Sequence, residues 1–417
     1  MSEIDPVALE EWRAQARAWL ASVAAPKADE VRVWGQGDPD LQIFRVMSHE
    51  EERAYLDRVR EYRRARYDAG YGAITLGTEF GGAGLPSVYG VAFAHEERDF
   101  DVPPSSEIIS VTTGLVGAAV SVFGTPEQRE SFGRAFLRTD WLCCQLFSEP
   151  GAGSDLAGLS TKAVRDGDDW LITGQKIWTS NAQFSEYGFL LARTDPDVVK
   201  QAGITAFLVP MDAPGIEIRP IRQMSGPASF NEVFFDSVRI PDSLRIGEVN
   251  AGWKVANATL GFERSSSGSG HRRKGGDIHD LVGLAGALGV LGDPVARQRL
   301  ADVYVRTQLH AATVERVARA TAAGENPGPA GSLGKLLASD NMVRIGDVAA
   351  ELLGSSMTAD TGEWGQFAWS EHVLGAPGYR LAGGTDEIQR NIIAERVLGL
   401  PAEQRMDKAP FSQLSRN

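Results

Sequence analysis

By the spacing of its apolar positions the chain divides into three blocks, helical, then β, then helical again. Leu9, Trp12, Ala16, Trp19 and Leu20 recur at intervals that place them on one helix face. A second helical pattern runs over 48–67, where Ser48 and Glu51 have capping-box spacing. The glycine-rich run 77–86 breaks the pattern before a helix carrying Glu96 and Glu97, an adjacent pair expected on a solvated face. Thr125 and Pro126 predict a short helix, with Thr125 as N-cap and Pro126 in the first turn.

From Leu142 to about Val249 the periodicity shortens to β runs at 170–172, 187–192, 205–209, 216–219 and 231–238, separated by turn residues. They predict a compact antiparallel β domain. From Gly252 onward the pattern is helical again, with long helices expected over 296–323 and 334–353 and a last one over 385–399. The expected organisation is therefore α+β: residues 1–141 helical, 142–249 β and 250–417 helical.

A length of 417 residues exceeds one core, and 43% hydrophobic with 23% charged residues fits a globular enzyme. A net charge of −13 argues against a nucleic-acid binder but leaves room for a local cationic pocket. No apolar run is long enough to span a bilayer, and the acidic start lacks signal-peptide features. Cys143 and Cys144 are neighbours, which rarely bridge, so a reducing compartment and a cytoplasmic location are expected. The six histidines have no metal-ligand spacing, so no metal is expected.

Two segments carry the chemistry. Ser148-Glu149-Pro150-Gly151-Ala152-Gly153-Ser154-Asp155 follows a strand, and its glycines are expected to let the backbone turn sharply and approach a flat ligand. Gln175-Lys176-Ile177-Trp178-Thr179-Ser180-Asn181 then puts an indole and two hydroxyls on a strand edge, able to cover a ring and bond its polar rim. In this ordered pair, and along nearly its whole length, the chain resembles the acyl-CoA dehydrogenase family of flavoproteins.

The resemblance implies FAD held between the middle β domain and a C-terminal four-helix bundle, and α,β-dehydrogenation of an acyl-CoA thioester. In that reaction a carboxylate takes the α-proton, the β-hydrogen leaves as hydride to flavin N5, and electrons pass to an electron-transfer flavoprotein. The implied flavin contacts are Gln145, Phe147, Ser148, Gly153, Ser154, Trp178, Thr179, Ser180, Thr385 and Glu387. Ser154, Arg264, Gly383 and Gly384 are the implied substrate positions.

The chain departs from the family pattern in two ways. Many members carry the base in a Glu-Gly-Thr triplet, where this chain reads Gly383-Gly384-Thr385. A minority carry it in a Leu-x-x-Glu-Arg context, matched by Leu260-Gly261-Phe262-Glu263-Arg264, so Glu263 is the expected base. A desolvated carboxylate there would have the raised pKa a base needs, and the Gly383 N–H could still donate to the thioester oxygen. Also absent are the Arg-x-x-Phe-Gly and Gln-x-x-Gly-Gly segments by which a neighbouring subunit completes the flavin site. Their places read Ala287-Leu288-Gly289-Val290-Leu291-Gly292-Asp293-Pro294 and Glu351-Leu352-Leu353-Gly354-Ser355-Ser356. The implied assembly is with a homologous unlike subunit, as in α2β2 members acting on steroid side-chain CoA esters; a homo-oligomer is the alternative. Other functions on this scaffold are a dioxygen-using flavin oxidase or monooxygenase, and a non-catalytic subunit completing another chain's flavin site. Oxygen consumption separates the first; the flavin-ring motifs and Glu263 oppose the second. Glu96 and Glu97 could instead close an acyl pocket. The serine- and glycine-rich basic segment 265–276 reads as a mobile surface loop, with CoA phosphates as its alternative ligand.

Overall fold

The expected capping box at Ser48 forms, and the expected N-cap at Thr125 also proves to be one. Glu51 N donates to Ser48 Oγ at 3.2 Å and Ser48 N to Glu51 Oε2 at 2.7 Å, starting the helix His49–Asp68. Thr125 and Gln128 make the same reciprocal pair around Pro126–Gln128. This computed structural model describes residues 5–28, 34–36, 40–266, 275–322, 328–404 and 407–414, with 262–266 and 321–322 as helix backbone.

The N-terminal block is built on helices Pro6–Val23, His49–Asp68 and Ser87–Glu97, and on a longer helical run from Glu107 to Phe123. Within that run Val111–Val116 takes the wider π pitch between Glu107–Ser110 and Gly117–Phe123. The expected solvated face at Glu96 is overturned. Its carboxylate is buried and accepts from Arg13 Nε at 2.8 Å and Arg17 Nε at 2.6 Å. Glu97 accepts from Arg66 Nη1 at 2.9 Å and from the Tyr62 hydroxyl at 2.5 Å. Cations from two other helices make these carboxylates internal clamps, which periodicity within one helix cannot reveal.

The middle block is one sheet of β1 (Cys143–Leu146), β2 (Lys162–Asp166), β3 (Asp169–Ser180), β4 (Tyr187–Arg193), β5 (Ile204–Pro210), β6 (Ile216–Ile221), β7 (Phe230–Pro241) and β8 (Arg245–Ile246). Its order is β6-β7-β3-β2-β4-β5-β8, with β1 added on β4. Pairing is antiparallel except β1 on β4 and the single Lys162–Arg193 pair of β2 with β4. β2 was not anticipated because its sequence is polar; only Ala163 turns inward. β3 is paired on both sides over 169–172 but has β7 alone as ladder partner from Gly174 to Ser180, which leaves the edge the sequence suggested.

The C-terminal block contains helices Gly252–Ser266, Ile278–Ala287, Pro294–Ala322, Gly331–Leu353, Trp369–Leu381 and Asp386–Ile392. Leu41, from the segment joining the first two helices, is buried in the same cluster as Leu281, Val303, Val348 and Trp369. Helix Trp369–Leu381 carries Gly375, Pro377 and Gly378. Relative to alanine each glycine costs a helix interior about 1 kcal/mol and proline about 3 kcal/mol, so this helix depends on what packs against it. Residues 267–274 of the basic segment lie outside the described residues. Among the described residues no helix is long and apolar enough to cross a membrane.

Candidate active site

The loop after β1 is pinned by a buried charge. Lys176 is fully buried on β3 and its Nζ donates to Glu149 Oε1 at 2.8 Å and to Phe147 O at 3.0 Å. Glu149 also accepts from Ser160 N (2.6 Å), Ser160 Oγ (2.9 Å) and Thr161 N (2.9 Å). Burial alone would raise this carboxyl, but the Lys176 ammonium and the added donors hold it below its ordinary range. Glu149 and Ala152 exchange both backbone hydrogen bonds at 3.0 Å, and Ile177 N donates to Ser148 O at 2.9 Å. Thus the two sequence motifs meet: the loop over Ser148 is fastened to the strand that carries Trp178.

At that point β3 bulges. Its register against β7 shifts between Lys176 and Thr179, and Trp178 takes a φ of 59°. The bulge turns the indole outward, 58% exposed, edge-on to Phe230 at 6.0 Å, so Trp178 is not a core aromatic. Thr179 is buried, its carbonyl accepts from Asn231 Nδ2 at 3.1 Å, and its Oγ1 has no hydrogen-bond partner among the described residues. Ser180 Oγ donates to Glu107 Oε1 at 3.2 Å. Asn181, left-handed at φ 53°, donates to Glu52 Oε1 at 2.7 Å. Burial raises the Glu52 carboxyl, a shift the Asn181 bond opposes.

The reason given for the loop glycines is corrected. Neither Gly151 nor Gly153 has a positive φ, and a Cβ added to either meets nothing within 4 Å. The turn does not demand them; they leave uncovered backbone beside exposed Ser154. An orphaned buried hydroxyl, an outward indole and an uncovered loop fit a flat ring with a polar rim. Gln145 is half-buried on β1 opposite Phe189, whereas the Phe147 ring is turned into the core against Phe189, with centroids 5.8 Å apart. Of the expected flavin positions, Phe147 therefore has its side chain committed to the core.

The C-terminal contribution is a second pinned turn. Gly383 and Gly384 sit at φ 64° and 86°, where any side chain would be strained. Gln389 Nε2 donates to Gly383 O at 2.9 Å and Gly384 O at 3.3 Å, and Thr385 caps the next helix by accepting from Ile388 N at 3.2 Å. Buried Asp386 accepts from Lys335 Nζ (2.8 Å), Ser339 Oγ (2.8 Å) and Arg380 Nε (2.7 Å). Burial pushes its carboxyl up, but these donors outweigh it and hold it at about 2. Glu387 is exposed and faces Arg390 at 3.4 Å.

Glu263 and Arg264 lie on helix Gly252–Ser266, which packs on Val111–Val116, β5 and Gly331–Leu353. Val255, Ala256 and Thr259 form its buried stripe. Glu263 stands four residues beyond Thr259, in the register of that stripe. Its side chain lies outside the described atoms.

Sequence reasoning missed Lys176 and Glu149. The signal was available: on β3, Ile172, Gly174 and Lys176 share one parity, so a lysine on the inward face required a buried anion.

Family profiles match the whole organisation: "Acyl-CoA dehydrogenase, N-terminal domain" over residues 8–140, the middle domain over 144–238 and the C-terminal domain over 250–398. Acyl-CoA dehydrogenase IpdE1 of Mycobacterium tuberculosis is 40% identical over 402 residues, covering 95% of this chain and 98% of that one. Among solved structures, the Tcur3481-Tcur3483 steroid ACAD aligns at TM-score 0.72 and 27% identity, covering 97% of this chain and 100% of that one. The ChsE4-ChsE5 complex from Mycobacterium tuberculosis aligns at TM-score 0.69 and 27% identity with the same coverage. With three consecutive profiles and a near full-length relative in agreement, the chain belongs to the acyl-CoA dehydrogenase family of oxidoreductases.

Proposed function

We propose that this chain dehydrogenates the α,β-bond of an acyl-CoA thioester, using FAD and Glu263 as the base, and passes electrons to an electron-transfer flavoprotein. The observation that carries the reading is the pair of positions 383 and 263. The turn that bears a carboxylate in many relatives is glycine on a left-handed backbone, while Glu263 stands four residues beyond Thr259 on a helix beside the N-terminal block. FAD, when bound, supplies the acceptor for the hydride leaving the β-carbon. The Thr179 hydroxyl, the Trp178 indole, Gln145 and Ser148, and the backbone at Gly153 and Ser154 would hold its ring, with Ser180, Thr385 and Glu387 at the rim. Glu263 takes the α-proton. The Gly383 N–H and Ser154 hold the thioester, so that charge developing on its oxygen meets a donor. Arg264 and Gly384 are the remaining proposed substrate positions.

The assembly proposed is with a homologous unlike subunit, on steroid side-chain CoA esters. The altered segments 287–294 and 351–356 support it, as do the two-protein names of the Tcur3481-Tcur3483 and ChsE4-ChsE5 structures. The test of the base is Glu263→Gln in flavin-loaded protein under anaerobic conditions. Flavin stays bound and its bleaching by substrate slows on the order of a thousandfold. Full-rate bleaching by that variant rejects Glu263.

A further inference from the structure

Helix Trp369–Leu381 ends just before Gly383, yet its own sequence supports it poorly through Gly375, Pro377 and Gly378. A segment more than three hundred residues earlier in the chain compensates. Ile43 is buried where a Cβ on Gly375 would lie 2.9 Å from its own Cβ. The Phe44 ring lies over Gly378, 3.6 Å from the place of a Cβ there. The same ring stacks on Tyr379 with centroids 5.6 Å apart and 19° between planes. It also meets Phe230 edge to face at 5.9 Å, and Phe230 meets Trp178 at 6.0 Å. Polar bonds hold the segment at Gln42, whose Nε2 donates to Glu371 Oε1 at 3.2 Å and whose carbonyl accepts from Gly275 N at 3.1 Å.

We infer that residues 41–44 form a strap that stiffens the end of helix Trp369–Leu381, and that Phe44 is a positioning residue for the Gly383 turn. The missing side chains at 375 and 378 make the groove into which Ile43 and Phe44 fit, so the helix gains from the strap the rigidity its composition denies it. The ring series Trp178–Phe230–Phe44–Tyr379 then ties the flavin-side strand to the turn that carries the thioester donor. A donor must be in place before charge develops, so loosening this end slows chemistry more than it weakens binding. The functional part rests on the dehydrogenase reading; the mechanical part does not.

The experiment compares wild type, Phe44→Ala and Phe44→Leu as flavin-loaded protein, with whatever partner subunit it requires. Amide hydrogen exchange over 376–385 is measured without substrate, and flavin bleaching across a series of acyl-CoA esters. Phe44→Ala raises exchange in that stretch at least tenfold and slows bleaching at saturation about tenfold, with half-saturation moving less than twofold. Phe44→Leu, which keeps most of the contact and the fold, restores more than half of both effects. Unchanged exchange in both variants overturns the strap. Faster exchange with a wild-type bleaching rate overturns the positioning role. Failure of wild type to bleach with any ester overturns the dehydrogenase reading, while exchange still decides the strap.

Discussion

Lys176 Nζ and Glu149 Oε1 stand 2.8 Å apart with their side chains 0% and 5% exposed, a buried ion pair beneath the loop that begins at Ser148. Removing one partner strands the other charge in the interior. Lys176→Met should therefore cost about 3–5 kcal/mol, read as an earlier first transition in urea unfolding, and should release flavin. The double replacement Lys176→Met with Glu149→Leu recovers much of the loss, because no lone charge remains. A single variant as stable as wild type contradicts this account.

Asp386 gives the terminal turn a defined acid limit. Its carboxyl lies at about 2 in the folded chain against an ordinary 3.8, so the folded state holds its proton less tightly than the unfolded one. The stabilisation is complete above the unfolded value and fades as pH falls from about 4 toward 2. Acid titration followed by exchange of amides 383–392 should show this loss in wild type and a flatter response in Asp386→Asn. Identical profiles would remove Asp386 as the cause.

Trp178 is more than half exposed, so its replacement should touch the ligand and spare the fold. Trp178→Ala changes unfolding stability by less than about 0.5 kcal/mol. Flavin retention weakens about two- to thirteenfold, the equivalent of ~0.5–1.5 kcal/mol for one ring pair. Equilibrium dialysis against free FAD measures it; unchanged retention means the indole does not cover the ring.

Glu96 serves the N-terminal block rather than a pocket. Glu96→Gln loses charge-assisted bonds from Arg13 and Arg17 and should cost about 1.5–3 kcal/mol. Half-saturation for acyl-CoA stays constant. A changed preference for acyl length with unchanged stability would return this carboxylate to the pocket.

Purified alone, the chain should hold well under one FAD, and the content should rise toward one per pair when a homologous unlike subunit is added. Stoichiometric, tightly held FAD on the lone chain ends the partner proposal.

What could be read from the sequence was local. The caps at Ser48 and Thr125 need only a residue three positions on, and both are present. The pairing of the Ser148 loop with the Trp178 strand was also legible, because each motif is short and in order. Interactions closed by distant segments were not. Glu96 looked solvated because Arg13 and Arg17 belong to another helix. β2 was hidden by its polar sequence, only Ala163 facing the core. The strap at 41–44 has no period to detect, and its groove is defined by side chains that Gly375 and Gly378 lack. The two loop glycines misled differently: their freedom of turn is not used, and a Cβ on either would meet open space.

Strand β1 has its ladder partner in β4, with Cys143 opposite Tyr187 and Leu146 opposite Leu190. A growing chain leaving the ribosome therefore cannot fasten the root of the Ser148 loop until residues through Leu190 have emerged, although the loop itself is made much earlier. Fragments cut before that strand would carry both sequence motifs in full and leave β1 without its ladder partner.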